Sequence, residues 1–202
     1  MTLVPGVGVD LAAFPAMPLP PLDAGLVFLM TAPLDRQSGI ETYAIAAEIV
    51  AARAPKARFR LLAEPIETEA APSSGRDGLI TRLDQPGQRP SAADHRDALA
   101  SAHVFVSASS RAGMPQPLLE SLAASRPVIA TDVPGSRETV DERVNGILVP
   151  PGNPAALADA MLSVLARPGL LAAMARASRL KAERRFDGQV AGRLIREALG
   201  LA

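Results

Sequence analysis

The sequence contains no cysteine and only two histidines, His95 and His103, among its 202 residues. Disulfide frameworks, thiol catalysis and thiolate metal sites are therefore excluded, and a histidine-rich metal site is not expected. Basic and acidic side chains balance at 21 each, which argues against a nucleic-acid-binding protein steered by bulk charge. Aromatic residues make up only 3% of the chain and tryptophan is absent, so the core must be built mainly from Ala, Leu, Val and Ile.

Long apolar runs are also missing from the sequence. None reaches the roughly 18 residues that a membrane helix needs, and the longest uncharged stretch near the start, Leu11 to Leu22, is interrupted by prolines. The first residues lack the basic patch and apolar block of a signal peptide. We therefore expect no integral membrane segment and a cytoplasmic location, with peripheral contact with the inner membrane as an open alternative.

Strand and helix patterns alternate after a Pro- and Gly-rich segment, 1–23, which is interpreted as an extended lead-in. Short apolar runs predict strands at 26–30, 57–63, 79–83, 103–106, 127–131 and 146–149. Helical patterns begin near Ile40, Ser91, Pro117 and Pro154, followed by two more helices at about 168–184 and 187–199. The first pattern predicts one shared face of Ile40, Tyr43, Ala44, Ala47 and Val50, with Glu41, Glu48 and Arg53 toward water. Residues 64–78 have turn formers and no apolar period, and are predicted to form a loop. Such alternation predicts the α/β class, with a parallel sheet and crossover helices.

Local signals predict how several helices start. Asn153 is a good N-cap, with Pro154 in the first turn. Ser136 is a plausible N-cap for a helix after the turn at 134–135. His95 is expected to lie on a solvated helix face beside Asp94, whereas His103 is expected to have a structural role.

Three strand-to-helix junctions are candidate ligand sites: 30–40, 106–120 and 131–138. In parallel α/β sheets, ligands bind at the carboxyl ends of the strands, where helix N-termini provide free N–H groups and a positive dipole. The second junction is the most distinctive, because a Ser-rich turn leads there into the run RAGMPQPLLE at 111–120.

The stretch 103–161 contains this run in a longer ordered pattern. It continues with PVIATD at 127–132, VPGSRE at 133–138 and NGILVPPG at 145–152. This succession resembles the C-terminal half of retaining GT-B glycosyltransferases of sequence family four, the group 1 glycosyl transferases. Gly8-Val9-Asp10 with Phe14, and Phe186-Asp187 near the end, are similar to further family segments, so the resemblance covers essentially the whole chain.

The resemblance implies a single Rossmann-like domain over 24–202, with a parallel sheet, helices on both faces and a helical tail from about 168. Residues 1–23 would be the remnant of the interdomain segment. The family's acceptor-binding half has no match in this sequence. The resemblance therefore implies a donor-binding domain that takes a nucleotide-diphosphate sugar and needs no metal or other cofactor.

Family members neutralise the departing diphosphate with an Arg and a Lys in the first junction. The family Arg aligns with Pro33, and the family Lys aligns with Ser38, just before Gly39. Of two glutamates eight positions apart in the second junction, the first aligns with Ala112 and the second is present as Glu120. Loss of one charge-stabilising donor lowers a rate by roughly 100- to 1,000-fold. Because the resemblance implies such a loss at Pro33, Ser38 and Ala112, we expect little or no transfer activity and assign no catalytic residue.

Candidate donor-binding residues remain around these positions: Glu120, Gly113, Met114, Pro115, Leu118, Arg36 and Gly39. Glu120 is either a ribose ligand or an acid favoured by the helix dipole. Arg36 is either a substitute cation or a solvated loop charge, and Gly113 and Pro115 are expected mainly to shape the turn. Backbone amides around 117–119 are a further candidate contact for a phosphate or a hexose.

Two functions therefore remain open. The chain is expected to be a nucleotide-sugar donor-binding domain that lacks its acceptor domain and is inactive alone; the alternative is the donor half of a split glycosyltransferase, active with a partner acceptor-domain chain. The apolar stripe of Val190, Leu194 and Ala198 is expected to be buried within the domain, in a homodimer or against such a partner. Basic side chains outnumber acidic ones over 167–197, which indicates a solvated helical face or contact with an anionic membrane surface.

Overall fold

The computed structural model of the chain describes residues 8–35, 37–64, 79–83, 89–111 and 113–198. Its strands are β1 (Val27–Pro33), β2 (Arg58–Glu64), β3 (Ile80–Arg82), β4 (Val104–Ser107), β5 (Val128–Thr131) and β6 (Gly146–Val149). Its helices are α1 (Ile40–Arg53), α2 (Ala92–Ala100), α3 (Gln116–Ala123), α4 (Pro134–Thr139), α5 (Pro154–Leu165), α6 (Leu171–Arg185) and α7 (Gly188–Ala198). Two 3₁₀ turns lie at Leu22–Ala24 and Pro168–Leu170.

The strands form one parallel sheet in the order β3-β2-β1-β4-β5-β6. The predicted Rossmann-like α/β fold is thereby confirmed. The direction of the strand order reverses between β1 and β4, and open α/β sheets bind ligands at such a reversal, beyond the carboxyl ends of the strands.

Both faces of the sheet are covered by helices. Phe28 and Met30 of β1 pack on one face into the core that contains the buried residues of α1 and α5. Val27 and Leu29 point to the other face, where the buried residues of α2 and α3 lie. Because both faces are buried, the strands read as continuous apolar runs rather than as alternating patterns.

Helix α1 shows how closely a periodic pattern predicts burial. The predicted face around Tyr43 is buried, and the Tyr43 hydroxyl donates to the Phe28 carbonyl oxygen at 2.9 Å. Ala46 completes this face in place of the predicted Ala44, which is only half-buried. Glu48 is also half-buried, although the pattern placed it toward water.

The start of α5 confirms one predicted cap, and the start of α4 contradicts another. Asn153 Oδ1 accepts a hydrogen bond from the Ala156 amide at 3.0 Å. Ser136 is not an N-cap: α4 begins at Pro134 and its N-cap is Val133. Proline is preorganised for the first helical position, so the helix starts before Ser136 can cap it.

Of the predicted loop at 64–78, Glu64 is instead the last residue of β2, and 65–78 lie outside the described residues. The side chains of Leu194 and Ala198, part of the C-terminal stripe, also lie outside them, and Val190 is half-buried. Of the helices in the described ranges, none alone has both the length and the apolar character to cross a membrane. The sharply bent pair Pro154–Leu165 and Pro168–Arg185 reaches these criteria only when the two are taken together, by length and composition.

Candidate functional site

A cleft of about 240 Å³ opens at the carboxyl ends of β1 and β4. One wall is the β1–α1 loop, with Pro33 and Ser38, and the other is the β4–α3 loop, with Gly113, Met114 and Pro115. Of the described residues that line the cleft, Arg111 is the only charged one. Two of the three junctions singled out by the sequence, 30–40 and 106–120, therefore line one cleft.

The two loops approach each other closely at Gly39. Its φ of +81° favours glycine, and a Cβ atom there would lie 2.1 Å from the Ala108 carbonyl oxygen. Beside this contact, the Gln37 carbonyl accepts hydrogen bonds from the Ser110 amide at 3.0 Å and the Ser109 hydroxyl at 3.2 Å. Gly39 thus allows the two loops to lie close together. Its predicted contact with a nucleotide sugar stays a prediction.

The two positions at which the resemblance implies cations, 33 and 38, hold uncharged side chains. Pro33 ends β1 and is half-buried. Ser38 is 2% exposed, and its hydroxyl donates to the Asp35 carbonyl oxygen at 2.6 Å. That hydroxyl proton is therefore used inside the loop. Arg36 and Ala112 lie outside the described residues.

Arg111 joins the two walls of the cleft. Its Nη2 donates to Asp35 Oδ2, and its Nε donates to Gln37 Oε1 at 3.2 Å. Asp35 is fixed from its own loop as well, because its Oδ1 accepts the Gln37 amide at 2.8 Å. The Asp35 side chain is 12% exposed and the Arg111 side chain is 50% exposed, so the acid is the buried partner of this ion pair.

The first turn of α3 uses its own free amides. The Pro115 carbonyl accepts the Leu118 amide at 3.0 Å and the Leu119 amide at 3.4 Å. The Leu118 side chain is fully buried in the core. The two amides and the Leu118 side chain therefore make contacts within the domain. Their predicted contact with a nucleotide sugar stays a prediction.

The loop of Gly113 and Met114 is held from behind by α4. A Cβ atom on Gly135 would lie 2.2 Å from the Gly113 carbonyl oxygen and 2.5 Å from the Met114 nitrogen. The backbones touch only because position 135 has no side chain. The third junction, 131–138, thus supports the cleft without lining it.

Glu120 follows the cleft-lining Pro117 by three residues in α3, does not itself line the cleft, and pairs with His95. His95 Nδ1 is hydrogen-bonded to Glu120 Oε2, and the imidazole packs edge-on against Phe14 and Phe105 at centroid distances of 5.9 and 6.3 Å. His95 Nε2 is buried without a hydrogen-bond partner among the described residues. At Nε2, a buried N–H without an acceptor would cost more free energy than a buried lone pair without a donor. This favours the tautomer with the proton on Nδ1, which then donates to the Glu120 carboxylate.

This pair corrects two sequence predictions. His95 is 5% exposed, so the prediction of a solvated histidine is wrong. Its acidic neighbours suggested a polar face, whereas Ala98 and Leu99, three and four residues on, share its buried face. Helix α3 begins at Gln116, which puts Glu120 in the second turn, where the helix dipole gives a carboxylate little stabilisation. The ribose role of Glu120 stays a prediction.

No group of three His, Asp or Glu side chains within the described part of the chain is arranged to hold a metal ion. The expectation of metal-free function stays a prediction, as does the nucleotide-sugar ligand itself.

Solved structures share this fold. They include the C-terminal domain of a group 1 family glycosyl transferase, LpcC, from Francisella tularensis (TM-score 0.72, 18% identity, 89% of this chain and 99% of that one). Sucrose-phosphate synthase from Thermosynechococcus elongatus matches with a TM-score of 0.79 and 24% identity, over 96% of this chain and 51% of the synthase. HepE from Anabaena, solved in complex with UDP, matches with a TM-score of 0.81 and 18% identity, over 96% of this chain and 56% of HepE. The chain thus spans about half the length of these two proteins.

No curated protein matches the amino-acid sequence closely. The sequence profile described as "Glycosyl transferases group 1" matches residues 25–167, which is well over half of the chain. This match runs from Gly25, two residues before β1, to Arg167, two residues past the end of α5, and it includes both walls of the cleft. The chain therefore belongs to the group 1 glycosyl transferases, and its fold is that of their C-terminal domain.

Proposed function

We propose that this domain binds a nucleoside-diphosphate sugar in the cleft between the β1–α1 and β4–α3 loops, holds the diphosphate weakly, and transfers sugar poorly or not at all by itself. The observation that carries the proposal is the cleft at the strand-order reversal, with uncharged Pro33 and Ser38 on one wall. HepE, which has the same fold, has been solved with UDP and with UDP-glucose. That ligand class suits the place of the cleft, at the carboxyl ends of the strands.

Weak transfer follows from the charge of the departing group. A nucleoside diphosphate leaves with negative charge, and preorganised cations lower the barrier by stabilising that charge. Pro33 has no donor, and the Ser38 hydroxyl already donates to Asp35. The side chains at these two positions supply no charge for the leaving group.

A second candidate function is the donor half of an enzyme whose acceptor is bound by another domain. It is favoured by the share of its relatives that the chain spans, 51% of sucrose-phosphate synthase and 56% of HepE. In this version the acceptor-binding half lies in a partner chain or in a further segment, and the C-terminal helices provide the contact. A cytoplasmic protein with its basic helices α6 and α7 near the inner membrane would fit either version.

The proposal is tested by restoring the missing charges. In the double variant P33R/S38K, we expect UDP to bind about tenfold more tightly than to the wild-type domain, because a charge-assisted contact to phosphate contributes on the order of 1.4 kcal/mol. Uridine, which lacks the phosphates, should bind both proteins equally. Isothermal titration calorimetry with UDP, GDP and uridine measures the ratio directly.

The matched control is A52K/A100R, which adds the same kinds of charge near the amino-terminal ends of β2 and β4. Ala52 and Ala100 are exposed near the C-terminal ends of α1 and α2, away from the cleft. This control should leave the UDP-to-uridine ratio unchanged. If the wild-type domain binds none of the three ligands at millimolar concentration, the nucleotide-sugar function is wrong.

A further inference from the structure

The cleft has a charged side chain whose part in the function is not yet assigned. Arg111 lines the cleft, and its guanidinium is held by Asp35 from the opposite wall. We propose that Arg111 is the residue that binds the diphosphate in this chain, and that Asp35 is an internal counter-ion which competes with the diphosphate for it. This inference rests on the proposed function, since the ligand is taken to be a nucleoside diphosphate.

The chemistry of the two side chains supports this assignment. A guanidinium offers five N–H donors in a planar fork that suits phosphate oxygens. Asp35 and Gln37 occupy one Nη2 donor and the Nε donor of Arg111, so donors remain for a ligand. The Asp35 carboxylate nevertheless cancels the positive charge and repels an incoming phosphate at short range.

The two partners are not equally free to move. Asp35 is 12% exposed, and its Oδ1 is held by the Gln37 amide. The Arg111 side chain is 50% exposed, and it is long and extends from a loop. When a diphosphate enters, the arginine can therefore turn toward it while the aspartate stays in place. The affinity of the cleft for diphosphate is set by how well the ligand competes with Asp35.

The decisive variant is D35N. Asn Oδ1 can still accept the Gln37 amide, whereas the amide nitrogen that replaces Oδ2 cannot accept a hydrogen bond from Arg111. We expect UDP to bind about two- to fivefold more tightly, as for the loss of one partly exposed ion pair. The affinity for uridine should stay the same. Calorimetric titrations at low and at high salt should show a steeper salt dependence for UDP binding by D35N than by the wild type.

The complementary variant is R111Q, which removes the charge from a half-exposed side chain and should fold normally. UDP should bind about three- to tenfold more weakly to R111Q, again without a change for uridine. R111K is a second variant with the charge retained. It should keep part of the preference for UDP over uridine.

A second Asp–Arg pair, which follows the carboxyl end of β5, provides matched controls. Arg137 Nε donates to Asp132 Oδ1 at 2.5 Å, both side chains are exposed, and neither lines the cleft. D132N and R137Q make the same charge changes as D35N and R111Q. Both control variants should bind UDP as the wild type does.

The outcomes separate this inference from the function on which it rests. If D132N strengthens UDP binding as much as D35N does, net charge explains the effect and the competition between Asp35 and the ligand is refuted. If the wild type prefers UDP to uridine and R111Q keeps that preference, Arg111 is not the diphosphate residue, while the proposed function stands. If the wild type binds neither ligand, both proposals fail.

Discussion

At the scale of single residues, His103 links the segment before the sheet to the first strand. Its Nδ1 accepts the Val27 amide at 3.0 Å, and its Nε2 donates to the Pro20 carbonyl oxygen at 3.1 Å. Protonation of Nδ1 would set two N–H groups against each other. Burial, the larger cause, and the nearby positive charge of Arg126 lower the pKa of His103 below its ordinary value.

Stability should therefore depend on pH through His103. Because its pKa is lower in the folded state, the unfolded chain binds more protons, and the contribution is complete above about pH 6.5 and is lost as the pH falls below it. In His103→Asn, the Asn oxygen can accept the Val27 amide without titrating. Urea unfolding between pH 5 and 8 should give a smaller loss of unfolding free energy in acid for this variant. Equal losses in both proteins would show that other groups cause the pH dependence.

Glu120 requires a variant that separates ligand binding from stability. Glu120→Ala leaves the buried His95 Nδ1–H without its acceptor, at a cost of about 1–3 kcal/mol in unfolding free energy. Glu120→Gln keeps an acceptor oxygen and should remain within about 1 kcal/mol of the wild type. If Glu120 contacts ribose, E120Q should still bind uridine severalfold more weakly, because a neutral oxygen is the poorer acceptor. An unchanged uridine affinity in a folded E120Q would contradict the ribose role.

At the scale of elements, the packing of α4 against the β4–α3 loop determines the shape of the cleft. In Gly135→Ala, the added methyl group would overlap the Gly113 and Met114 backbone, so the loop or the helix must shift. We expect a loss of about 1–3 kcal/mol in unfolding free energy and weaker UDP binding. Thermal unfolding and calorimetric titration test both effects. Gly169→Ala is the control, because nothing lies within 4 Å of a Cβ atom there; a Gly135→Ala protein that matches it in both measurements would refute this role.

Signals that are local in sequence predicted most of the elements. The Asn153 cap and the apolar run of β4 depend on neighbouring residues, and the structure contains both. The burial of His95 was missed, because it depends on Phe14 and Phe105, which come from other parts of the chain. Residue types alone give no sign of such partners.

The sequence predicted the loops that form the candidate site but not the ion pair between them. The resemblance to the family predicted the two loops and the positions Pro33 and Ser38, and both residues line the cleft. That these residues replace the family's cations stays a prediction. The ion pair between Asp35 and Arg111 joins residues 76 positions apart. Its formation depends on how closely the loops approach at Gly39, which no sequence pattern reports.

At the scale of the whole molecule, two arginines tie the segment before β1 to the helices. Arg126 donates to the carbonyl oxygens of Leu99 at 2.8 Å, Met17 at 3.2 Å and Pro18 at 3.0 Å. Arg179 donates to the Phe14 carbonyl at 3.0 Å and to the Ala123 carbonyl at 2.8 Å. Burial lowers the pKa of Arg126 to about 10, so this guanidinium stays charged at neutral pH. Phe14, which this segment supplies, packs against His95, and the tether thereby reaches the base of the site.

Removal of the Arg126 head group should therefore loosen the segment and the domain together. Arg126→Met keeps much of the side-chain volume but leaves three carbonyl oxygens without their donors, which we expect to lower the unfolding free energy by about 3 kcal/mol and the melting temperature by about 10 °C. Arg184→Met, at an exposed position of α6, is the control and should melt as the wild type does. Limited proteolysis should cut Arg126→Met faster between residues 8 and 21. If the variant melts with the wild type and resists protease equally, the carbonyl contacts of Arg126 add no net stability, and packing of Phe14 and its neighbours must hold the segment instead.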